Sequence, residues 1–104
     1  MKIDIQNRLH EVDQTLVASI EQRLIFAFSK VEAHISAVIL IISQVDIDDG
    51  QLYPHCTLKL SLNRFSDVVV EETQKDLLSA INRVIQKAIR IVFRKILLGK
   101  SGEL

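Results

Sequence analysis

Residues 73–99, TQKDLLSAINRVIQKAIRIVFRKILLG, carry two interleaved periodicities. Leu77, Leu78, Ile81, Val84, Ile85, Ala88, Ile89, Val92 and Ile96 recur at the spacing that an α-helix gathers into one apolar arc. Arg83, Lys87, Arg90 and Arg94 recur at steps of four, three and four, which places them within about 60° of one another on the opposite side. The spacing predicts one long amphipathic helix with a core face and a basic stripe. Thr73 followed by Asp76 has the form of a capping box with Asp in place of Glu, expected to open this helix, and Gly99 is expected to close it.

The charges of this segment set it apart from the rest of the chain. Residues 74–100 hold seven Lys or Arg against Asp76 alone, whereas residues 1–73 hold six basic and eleven acidic side chains. A net charge of zero thus conceals a dipolar molecule, and such an asymmetry favours a polyanionic partner. Amphipathic helices also carry cations simply to keep one face solvated. Against that bland reading, no acid occurs between residues 77 and 100 to supply the i to i+4 partners common on solubilising faces.

Upstream of the helix, Phe65–Val70 reads as a strand and His55–Leu62 alternates Cys56, Leu58, Leu60 and Leu62 with Thr57, Lys59 and Ser61. Asn63 and Arg64 between them suggest a hairpin. Val45–Pro54, with Asp46, Asp48, Asp49, Gly50 and the single proline, reads as a loop. Ile35–Gln44 is a nearly continuous aliphatic run, as in a buried strand. Asp13 stands at a helix N-cap position before an apolar stripe from Leu16 to Val31, which predicts a first helix over Val12–Val31. Ile3 and Ile5 alternate with polar neighbours in a first strand over Met1–Gln6. The order β-α-β-β-β-α predicts an α+β fold, a four-stranded sheet with two helices packed on one face. The 104 residues suit a single domain, with 1–98 as its ordered core and 99–104 as a tail.

Catalytic and metal-binding classes find no support. An EF-hand loop counted from Asp46 would need Gly and Glu where Gln51 and Thr57 stand. His55 and Cys56 are strand neighbours and point to opposite faces, so they cannot share an ion, and Cys56 reads as a small core residue. His10 and His34 read as surface residues. No catalytic triad signature, glycine-rich phosphate loop or paired-carboxylate motif is visible. The expectation is a protein without enzymatic activity, cofactor, metal or small-molecule substrate. One cysteine and no secretory or membrane-spanning run point to the cytoplasm. Ile25, Phe26, Leu97 and Leu98 fall outside the apolar arcs of the two helices and are candidates for a homodimer patch.

Residues 69–82, VVEETQKDLLSAIN, resemble the ribosome hibernation promoting factor and ribosome-associated inhibitor family, also called sigma-54 modulation proteins, in its short form. That family has an acidic strand end, then Asp, an apolar pair, Ala-Ile and Asp or Asn. Arg23-Leu24 with Phe26 and Ala27, Ile3 with Ile5, and Cys56 after the acidic segment are weaker matches. The resemblance implies binding of small-subunit rRNA in the channel that otherwise holds mRNA and tRNA, which silences translation during dormancy or stress. It also implies that Arg83, Lys87, Arg90 and Arg94 contact RNA, followed by Arg23 and Lys30 on the first helix. The chain departs from the pattern at Ile25, Ala33 and Ala37, near positions where relatives often carry basic side chains, and at Lys30-Val31, where they have an aromatic pair or Arg-Phe. A degenerate relative that works as a homodimerising protein-interaction module is the alternative these departures suggest.

Overall fold

The computed structural model describes residues 1–9 and 12–102, the last three by their backbone alone. His10 and residues 103–104 of the expected tail lie outside the described residues. The elements run β1 (Lys2–Asn7), α1 (Gln14–Phe28), a 3-10 segment (Ser29–His34), β2 (Ile35–Asp48), β3 (Gln51–Leu62), β4 (Val68–Thr73) and α2 (Leu77–Gly102). The fold is the expected α+β arrangement. The sheet order is β1-β2-β3-β4, with β1 parallel to β2 and the remaining pairs antiparallel.

Strand register explains the core. Ile3, Val38, Leu60 and Val68 stand in one cross-strand row, and Ile5, Leu40, Leu58 and Val70 in the next. Side chains in such rows share a face of the sheet, and here that face lies under both helices. Ile20, Leu24 and Phe28 from α1 and Ala80, Ile81, Val84, Ala88 and Val92 from α2 join the row residues in a single apolar cluster. The third row runs Asn7, Ile42, Cys56, Glu72, so its last inward position is held by a carboxylate.

Six local expectations are corrected. Val45–Pro54 is not a loop: β2 and β3 continue through it as a hairpin turning at Asp49-Gly50. Both central residues have positive φ, +40° and +98°, as a two-residue type I′ turn requires. The Asp46 carboxylate accepts from the Gly50 N–H at 3.0 and 3.1 Å. The Asp-Gly pair was the hairpin signal, concealed by its acidic surroundings.

Helix α1 ends at Phe28 rather than Val31, and the chain tightens into the 3-10 segment. Phe28 and Val31 are both buried, and residues three apart share a face in either helix type, so apolar periodicity cannot separate them. The start is as expected, with the Asp13 side chain accepting from the Leu16 N–H at 2.8 Å.

Strand β4 begins at Val68, because residues 63–67 form a loop pinned by Asn63, which donates to the His34 and Ala33 carbonyls. Phe65 leaves the sheet and packs beside His34, ring centroids 6.4 Å apart, over Gly99. His34 is accordingly half-buried rather than on the open surface.

Thr73 is the last strand residue, and Asp76 caps α2 by accepting from the Ser79 N–H at 3.0 Å and the Ser79 hydroxyl at 2.5 Å. At the other end, Gly99 does not stop the helix, which runs to Gly102. Any Cβ at residue 99 would overlap the Phe65 ring, so this glycine provides clearance for a packing contact.

Replacing Gly50 by Ala tests the turn, since open space surrounds it and only the backbone conformation resists a side chain. Urea denaturation should show a loss of about 1 kcal/mol with an unchanged m-value.

Candidate nucleic-acid interface

Docking of the α2 apolar arc onto β3 and β4 turns the opposite side of the helix to solvent, and Arg83, Lys87, Arg90 and Arg94 are all exposed there. They are not equivalent. Glu72, at the inward position closing the third row, has a side chain only 10% exposed, and its carboxylate meets α2. Lys87 Nζ pairs with Glu72 Oε2, Arg83 Nε lies 4.0 Å from Oε1, and Gln74 donates to Oε1 at 2.7 Å. Lys87 also approaches the Glu71 carbonyl at 3.4 Å. Half of the stripe is therefore tied to the rim of the sheet by an acid from another element. Sequence reasoning searched only α2 for such an acid. The alternation Val68, Val70, Glu72 was the available signal that this carboxylate faces the helices.

Arg90 and Arg94 form no ion pair among the described residues and stand free on the helix crest. From them a ridge at steps of four leads back through Gln86 to Asn82. There α1 joins it, because Arg23 Nη1 donates to Asn82 Oδ1 at 3.0 Å. That bond uses one of the five guanidinium N–H groups and fixes the side chain against α2. Arg23 thus continues the α2 surface onto α1, and Lys30, exposed in the 3-10 segment, lies further along the same stretch of chain. Shallow depressions along the ridge are lined by Asn82, Arg83, Gln86, Lys87 and Arg90. The result is a convex, donor-rich surface suited to phosphate oxygens, without the enclosed cavity of a small-molecule site.

Other groups singled out in the sequence lie elsewhere. Ile25, Phe26, Leu97 and Leu98 are all exposed. Cys56 is wholly buried, and burial pushes its thiol up to about 12, so it is a protonated core residue. His55 sits on the open face of the sheet, bonded to Thr73 Oγ1 at 2.7 Å and to Glu71 Oε1 at 3.3 Å. Among the described residues, no three His, Cys, Asp or Glu side chains converge as a metal site would require, and no helix is long and apolar enough to cross a membrane.

The fold and this surface define a class: a small α+β domain whose two helices cover one face of a four-stranded sheet and present a cationic crest to solvent. Solved structures that share that fold include two with TM-scores above 0.7. One is the N-terminal domain of Protein Y from Thermus thermophilus, with a TM-score of 0.72 and 21% identity, matched over 90% of this chain and 98% of that one. The other is a ribosomal subunit interface protein from Coxiella burnetii, with a TM-score of 0.74 and 14% identity, matched over 93% of this chain and 99% of that one. These likenesses agree with the resemblance carried by residues 69–82. No protein-family model and no curated protein sequence matches the chain.

The Glu72 cluster has a defined pH signature. Hydrogen bonds from Lys87 and Gln74 hold its carboxyl below the ordinary value of 4.5. A lowered folded-state value stabilises the fold above pH 4.5, and this contribution is lost as pH falls through the folded-state value. Urea titrations at pH 7 and pH 3 should therefore show Glu72→Gln less stable than the parent at pH 7, with the gap narrowing at pH 3.

Proposed function

We propose that this protein binds rRNA of the small ribosomal subunit and silences translation while bound. The observation that carries the proposal is the acid-free polar surface that runs from Arg23 through Asn82 and Gln86 to Arg90 and Arg94, on a fold shared with a ribosomal subunit interface protein. Arg90 and Arg94 on the crest, with Arg23 and Lys30 on the flank, are the primary phosphate contacts. Lys87 and Arg83 engage RNA only where phosphate competes with Glu72. Occupation of the mRNA and tRNA channel is the route by which such binding stops translation, and a ribosomal partner places the protein in the cytoplasm.

Co-sedimentation with purified small subunits tests this reading. Four phosphate contacts should give a slope of about −3 in log affinity against log salt. The double reversal Arg90→Glu with Arg94→Glu should abolish pelleting at all salts and leave the circular dichroism spectrum unchanged, since both side chains are exposed. Cell-free translation should fall with added parent protein and not with the double variant. Failure of the parent to pellet at low salt would overturn the proposal.

A further inference from the structure

Phe26 is the most exposed of the large apolar side chains on α1, at 83%, while Ile25, the next residue, is 39% exposed. On a helix its surface neighbours stand three and four residues away, and these are Gln22, Arg23, Ser29 and Lys30. All four are polar and exposed, two are cationic and none is acidic. Ser29 is still helical in φ and ψ, so the geometry of the last turn carries past the end of α1 toward Lys30. Ile25 is about 100° further round and extends no apolar surface beside the ring. On α1 itself the ring is flanked by hydrogen-bond donors and cations rather than by the contiguous apolar patch on which a protein–protein interface is centred.

It has instead the composition of a surface for single-stranded nucleic acid, where a ring stacks on a base and adjacent cations hold the flanking phosphates. Arg23 stands one turn before Phe26 on α1, with its guanidinium held at Asn82 where the two helices meet. We infer that Phe26 is a stacking platform for an unpaired nucleobase, with Arg23 and Lys30 gripping the phosphates on either side. This inference rests on the proposed RNA-binding function and deepens it by naming unpaired nucleotides as the ligand of the α1 flank.

The chain contains no tryptophan, so Phe26→Trp introduces a sole reporter at the platform. Binding of a short oligoadenylate, of an abasic oligonucleotide of equal length and of an RNA duplex should be compared at low salt for the parent, Phe26→Trp and Phe26→Ala proteins. The expected result is oligoadenylate affinity lower by about tenfold in Phe26→Ala and retained in Phe26→Trp. Tryptophan fluorescence should be quenched by the oligoadenylate and not by the abasic strand, with duplex binding equal in all three proteins. Equal oligoadenylate binding by the parent and Phe26→Ala, while Arg90→Glu with Arg94→Glu still abolishes subunit binding, would overturn the platform and leave the proposed function standing. Loss of a dimer in Phe26→Ala by light scattering, without loss of RNA affinity, would assign the ring to a second copy of this chain and also overturn it. Absence of both oligonucleotide and subunit binding by the parent would remove the two readings together.

Discussion

Burial of one face of α2 against β3 and β4 governs everything else in this molecule. Ala80, Ile81, Val84, Ala88 and Val92 are fully enclosed on that face, and the two alanines let the helix backbone approach the sheet closely. At about 0.8 kcal/mol per buried methylene, turning the helix by a single residue would exchange enclosed apolar side chains for polar ones, Asn82 and Gln86 in one direction or Arg83 and Lys87 in the other, at a prohibitive desolvation cost. The outward aim of Arg90 and Arg94 is a consequence of that packing. So is the length of exposed crest, because α2 has 26 residues and α1 only 15.

The same docking divides the basic stripe by function. Lys87 and Arg83, which lean toward β4, meet Glu72 and are neutralised, whereas Arg90 and Arg94 form no ion pair among the described residues. A protein that binds a polyanion benefits from such an arrangement. An internal carboxylate limits indiscriminate attraction of polyanions, and the free cations remain exposed on the crest. The chain's neutral overall charge is consistent with that restraint.

Where local patterns agreed with the tertiary context, they located the elements well. The aliphatic alternation in β1 and β3, the Asp13 cap and the α2 arc each express one dominant physical preference. Errors arose where two preferences shared the same residues. Asp49-Gly50 is a tight-turn pair inside an acidic, proline-containing stretch, and composition obscured the hairpin. Gly99 is a frequent helix terminator, yet here the absence of a Cβ accommodates Phe65, a residue 34 positions away that no local window includes.

By itself, the sequence determined the α+β architecture, the face on which the core lies and the existence of a cationic stripe, because hydrophobic periodicity and charge spacing are properties of neighbouring residues. Only the tertiary structure decided which of those cations are free. Glu72 and Lys87 are 15 residues apart, on a strand and a helix, and their pairing depends on how β4 registers with β3 and how α2 rests on both. Electrostatic interactions act through space, and the distances that set them come into being only when the chain folds.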